Sequence, residues 1–162
     1  MKEREMLRAL LRGKGAHVDP VGVFEGLSLE TAGERPKGAP HSVWQLLGHI
    51  IYWQDFVLAS IRGARPEPPA HAEDGWPFPV APGNPAELRV GLDRFETGLA
   101  EFDGILVDRS LDLDRVIDPE RGTTVRERIA VIVAHNSYHA GQAAFVRRMI
   151  RAWPPPRGGD TW

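Results

Sequence analysis

The chain has 162 residues, no cysteine, six histidines, and 20 Lys+Arg against 22 Asp+Glu for a formal charge of -2. Without a thiol there is no disulfide framework, no cysteine-based zinc or iron–sulfur site and no protein thiolate nucleophile, which leaves histidine and carboxylate chemistry. A pI near 6.3, with arginines scattered among acids, provides no field for grasping a phosphate backbone, so nucleic acid is not an expected partner.

At this length one domain covering residues 1–162 is expected, large enough to bury roughly two thirds of its unfolded surface. Its start, Met1-Lys2-Glu3-Arg4-Glu5, is charged and lacks the apolar core of a signal peptide, and no apolar run approaches a membrane span. The expectation is a cytoplasmic protein without membrane contact. A first helix is predicted from Lys2 to Arg12, carrying Met6, Leu7, Leu10 and Leu11 at helical spacing and stopping at Gly13. A shorter one follows, with Asp19 as N-cap, Pro20 at the first helical position, and Val23, Phe24 and Leu27 on its apolar side.

The second long helix opens with the capping box Ser42-Val43-Trp44-Gln45 and is expected to reach Arg62 and end at Gly63. Val43, Leu46, Leu47, Ile50, Trp53, Val57 and Ile61 make its broad apolar stripe, and His49 lies roughly 100° around the helix from Ile50. From Ala64 to Gly83 six prolines (Pro66, Pro68, Pro69, Pro77, Pro79, Pro82) forbid a helix and predict a long crossover. Such a loop closes over a site or joins two helices that point the same way. A third long helix, capped by Asn84 and with Pro85 in its first turn, runs through Leu88, Leu92, Phe95, Leu99 and Phe102 to about Leu106. Between Val107 and Gly122 the alternation Leu111-Asp112-Leu113-Asp114 suggests an extended segment or a weak hairpin. The last helix opens with a second capping box, Thr124-Val125-Arg126-Glu127, and continues to about Arg151. Trp153 and Trp162, in the irregular tail, are expected to dock on the body. Four long helices, no convincing sheet and no internal repeat predict an all-α fold, a four-helix bundle with a long Pro-rich crossover between the second and third helices.

Chemistry concentrates in His135-Asn136-Ser137-Tyr138-His139. An i,i+4 histidine pair projects from one helix face, where two imidazoles can offer ring nitrogens to one metal ion. With six histidines such a pair arises by chance in roughly one chain in five. Its orientation weighs more: relative to Ile132, His139 lies within about 40° and His135 about 60° to one side, so both face the interior or its rim. Buried imidazoles need partners, which hydrogen bonds within a core would supply as well as a metal would. The spacing is that of zinc proteases, but Asn136 stands where their motif needs a Glu base, which disfavours that activity.

His49 within Ser42-Val43-Trp44-Gln45-Leu46-Leu47-Gly48-His49-Ile50, the run from His135 to Gln142, and the ending Trp153-Pro154-Pro155-Pro156 resemble the DinB-like (YfiT-type) metal-binding family. The resemblance spans nearly the whole chain. It implies a four-helix bundle with a divalent metal, typically nickel or zinc, held by one His from the second helix and two from the last, which here are His49, His135 and His139. Similar proteins act as thiol-dependent transferases or isomerases that use low-molecular-weight thiols, or are described as hydrolases, and homodimers are a family-level expectation. Three imidazoles leave coordination positions free, as in catalytic rather than closed structural sites.

The expected function is therefore a metal-dependent enzyme on a small molecule, with no catalytic residue assignable from sequence. Two alternatives stand beside it: a non-catalytic, metal-binding stress-response bundle that dimerises, and a structural bundle with hydrogen-bonded core histidines. The near all-round hydrophobicity of Val43 to Ile61 is the sequence's support for a dimer. His17 reads either as a helix-junction residue or as a pocket residue near the metal, and His41 and His71 as exposed. Arg128, two turns before His135, is either a contact for an anionic substrate or a surface-reaching side chain with its stem on the core. Tyr138 is expected to pack.

Overall fold

The computed structural model describes residues 2–159. Its helices are α1 (Glu3–Leu11), α2 (Pro20–Phe24), α3 (Leu29–Gly33), α4 (Val43–Ile61), α5 (Pro85–Val107) and α6 (Val125–Met149), with a two-stranded hairpin of β1 (Val116–Asp118) and β2 (Thr123–Thr124) before α6. The all-α class and the crossover between α4 and α5 are as the sequence predicts. Ser42, Asn84 and Thr124 accept hydrogen bonds from the backbone N–H of the third helical residue, which starts each long helix where its cap stands. The helix α3 escapes sequence reading because its capping box, Ser28 with Thr31, lacks the expected Glu or Gln. The hairpin lies beyond the Leu111–Asp114 alternation and pairs Val116 with Thr124 and Asp118 with Thr123.

The helix α4 is the centre of the bundle, packed against α5, α6 and α3. Its near all-round hydrophobicity follows from that position, since Trp44, Leu46, Leu47, Ile50, Ile51, Val57 and Leu58 are all buried. The exposed apolar face lies instead on α6, where Val131, Tyr138, Phe145 and Met149 are 57%, 64%, 62% and 42% exposed. Tyr138 therefore does not pack into the core. Among the described residues no helix is long and apolar enough to cross a membrane.

Two devices hold the connections against the bundle. The crossover carries a single 3₁₀ turn, Ala72–Gly75, and lies on α4. Phe78, just after that turn, packs on Trp44 with ring centroids 4.5 Å apart and presses on the backbone of Gly48, a contact open only because Gly48 has no Cβ. The tail is tied by Arg147, 3% exposed, which donates to the carbonyls of Val23 (2.6 Å), Glu25 (2.9 Å) and Ala152 (2.9 Å). Trp153 lies against Arg147 and Arg148, with guanidinium carbons 5.8 and 4.9 Å from its ring. Trp162 lies outside the described residues.

Candidate metal centre

The helices α4 and α6 bring His49, His135 and His139 together, each offering one ring nitrogen such that all three atoms lie within 4.8 Å of one another. Nε2 of His135 and Nε2 of His49 are 3.1 Å apart. His49 and His139 are each 8% exposed, and His135 is half-buried at the rim.

The outer nitrogens explain the orientation. Nδ1 of His49 donates to the carbonyl of Gly75 at 2.6 Å, a group that can only accept, so the proton of a neutral His49 sits on Nδ1 and its Nε2 carries a lone pair. The amide oxygen of Gln142 sets the same tautomer on His139 by accepting from Nδ1 at 2.7 Å, and that of Asn136 faces Nδ1 of His135 at 3.5 Å. Three lone pairs thus converge on one point, and two facing lone pairs at 3.1 Å repel unless a cation or a proton lies between them. Burial, the dominant cause, lowers the pKa of His49 and of His135 from 6.5 to about 4, and lowers that of His139 as well. All three are neutral near pH 7, as imidazole ligands must be. The donor set, protonation state and outward hydrogen bonds together fit a divalent ion, and the three histidines are positioned to hold one.

The crossover forms one wall. Trp76 lies between two imidazoles, its ring parallel to that of His49 at 3.9 Å and to that of His41 at 3.6 Å, with both interplanar angles 8°. His41 is consequently half-buried rather than exposed, and burial lowers its pKa. Trp53 forms another wall, 6.4 Å from the rings of both His49 and His135. His71 is exposed, as expected. His17 stays away from the cluster, its Nε2 on Ser137 Oγ at 2.8 Å and its Nδ1 on the carbonyl of Val18 at 2.7 Å, which makes it a helix-junction residue. Arg128 pairs with Asp118 at 3.2 Å rather than reaching freely to solvent.

Gly75, Trp76 and Gln142 were not singled out from the sequence as partners of the histidines. Gln142 carried a signal, lying three residues after His139 on the same helix face. Gly75 and Trp76 carried none, because their place depends on how the crossover folds back.

Two cavities are lined by neighbours of the cluster, though none of the three histidines borders either. One of about 490 Å³ is mainly apolar and lies beside His41, Leu46, Tyr138, Gln142 and Phe145. The other, of about 440 Å³, lies among α4, the start of the crossover and the hairpin, with Trp53, Phe56 and Arg128 in its walls.

Comparison with known proteins gives one family: the model of the DinB superfamily matches residues 19–143, a stretch that contains all three clustered histidines. Neither curated proteins nor solved structures give a match.

Proposed function

The chain belongs to the DinB superfamily, and from that premise we propose that His49, His135 and His139 hold a divalent metal, nickel or zinc, in a metal-dependent enzyme acting on a small molecule. The reaction type is thiol-dependent transfer or hydrolysis. The observation that carries this reading is the convergence of one ring nitrogen from each of three histidines, with acceptors holding Nδ1 of His49 and of His139 on the outer side. When bound, the ion supplies a Lewis acid with coordination positions that three imidazoles leave unfilled.

The chain's own residues do the rest. Gly75 and Gln142 fix the tautomers of His49 and His139, and Trp76 holds the plane of His49 and keeps water from that side. Asn136, 1% exposed beside His135, can neither take nor give up a proton, and no carboxylate joins the cluster among the described residues. That supports transfer, in which the nucleophile arrives with the cosubstrate, over hydrolysis driven by a protein base. With no cysteine in the chain, a thiolate comes from a low-molecular-weight thiol. The working protein is read as a cytoplasmic homodimer.

Elemental analysis of protein purified without a histidine tag tests the reading. Wild type retains about one equivalent of metal and His139→Ala loses most of it; equally little metal in both sinks the proposal. The exposed apolar face of α6 supports a dimer in either case, and a second reading is a non-catalytic metal-binding bundle that dimerises. It predicts metal and dimers but no turnover when loaded protein is screened with thiol cosubstrates.

A further inference from the structure

The cavity of about 440 Å³ beside Trp53 lies within the size range of small-molecule sites, roughly 300–1,000 Å³. Its walls divide by chemistry. Trp53, Phe56 and Ile117, all half-buried, form an apolar side, and Arg128 with Asp118 forms a polar end. Three arginines (Arg65, Arg121, Arg128) and two acids (Asp118, Glu120) line it. Among the described residues Arg128 makes one contact, a single nitrogen on Asp118 at 3.2 Å, and no side chain accepts from the rest of its guanidinium fork. Its other nitrogens are not among the buried, unpartnered atoms of the protein, so they border open volume. Arg65 and Arg121 make no ion pair among the described residues. This is a half-used guanidinium in a cavity with one apolar side and one excess positive charge, a combination that suits a monoanion better than a phosphate dianion.

Position adds a second argument. Arg128 precedes His135 by two turns of α6, which places it on nearly the same face and roughly 10 Å along the axis. Trp53 lines the cavity and also stands 6.4 Å from the rings of His49 and His135.

We propose that this cavity binds a small organic carboxylate with an apolar, preferably aromatic, body, its carboxylate on Arg128 and its far end toward the histidine cluster. Its role as the substrate site rests on the metal reading above; its capacity to bind a carboxylate does not.

Calorimetric titration with 3-phenylpropionate, its primary amide and inorganic phosphate, on metal-depleted protein, tests the binding itself. The carboxylate binds, the amide and phosphate bind at least about tenfold more weakly, and Arg128→Gln weakens the carboxylate by about tenfold or more while leaving the amide unchanged. Equal affinity for acid and amide, phosphate as tight as the carboxylate, an unaffected Arg128→Gln variant, or no binding at all overturns the site. Should Arg128→Gln not fold, Arg128→Lys takes its place: it keeps the charge but loses the guanidinium fork, and carboxylate affinity unchanged in that variant overturns the site equally.

Cobalt(II) tests the adjacency. In protein shown by elemental analysis to retain it, the ligand's proton resonances broaden, and sharp lines from a bound ligand overturn the substrate role. Failure to retain zinc, nickel and cobalt alike overturns the metal reading and that role together, while the metal-free titrations still decide the carboxylate site.

Discussion

The indole of Trp76 lies flat on the imidazole of His49, ring centroids 3.9 Å apart and planes 8° from parallel, with His41 on its other face. The residue before it, Gly75, supplies the carbonyl that accepts from Nδ1 of the same imidazole. The crossover thus sets both the plane and the tautomer of His49 within two consecutive residues. Trp76→Ala removes the flat support and frees the turn that carries the Gly75 carbonyl, so zinc affinity falls by about tenfold to a hundredfold. Trp76→Phe keeps a face for stacking and retains most of it. Calorimetric zinc titration of the two variants reads the difference, and equal loss in both would mean that stacking contributes nothing.

Gln142 does the corresponding work on α6, accepting from Nδ1 of His139 at 2.7 Å. Gln142→Leu leaves that N–H without an acceptor and the ring free to turn, which lowers metal affinity by about tenfold or more. Gln142→Glu restores an acceptor and recovers the affinity. If Gln142→Leu binds metal as wild type does, the hydrogen bond does not orient the site.

The lowered pKa values dictate how the metal-free protein responds to acid. Burial brings His49 and His135 to about 4, whereas the same groups in the unfolded chain titrate near 6.5. Between those limits the unfolded state takes up protons that the folded state refuses. Stability is therefore complete above about pH 6.5, falls as the pH drops toward 4, and levels off below that, where the folded state titrates too. Urea midpoints of chelator-treated protein across this window decline in wild type. The decline is shallower in a His49→Gln, His135→Gln double variant, and identical slopes would count against burial as the cause.

Gly48→Ala separates propensity from packing. In an open helix position alanine stabilises by about 1 kcal/mol over glycine. Here the new methyl would meet the ring of Phe78, so the expected result is a loss of about 1–3 kcal/mol. A lower midpoint with unchanged slope in chemical denaturation confirms it, and a stabilised variant refutes the contact. Because Phe78 follows Trp76 closely in the crossover, the same substitution also weakens zinc binding.

The long helices were legible because each declares its start locally: Ser42, Asn84 and Thr124 cap α4, α5 and α6 with their own side chains. The meeting of His49, His135 and His139 came from motif resemblance, supported by angles that placed the α6 pair inward. What stayed hidden depends on contacts distant in sequence. His41, read as exposed from its place before a cap, is covered by Trp76 out of the crossover. The hydrophobicity of α4 was real, but a one-dimensional pattern cannot distinguish a helix surrounded by its own chain from one awaiting a second copy. Arg128 was rightly placed on the face shared with His135, while its partner Asp118 comes from a hairpin whose position the sequence did not fix.

His49 and His135 meet across 86 residues of sequence, while His135 and His139 share one helix. An unfolded chain can offer an ion at most the local pair, at low affinity and only where a helical turn happens to form. The third nitrogen arrives only once α4 and α6 have docked. An ion held by all three is thus a reporter of completed tertiary assembly rather than a template for it, and its contribution to stability is the gap between three-point capture by the folded chain and whatever residual grip the pair retains in the unfolded one.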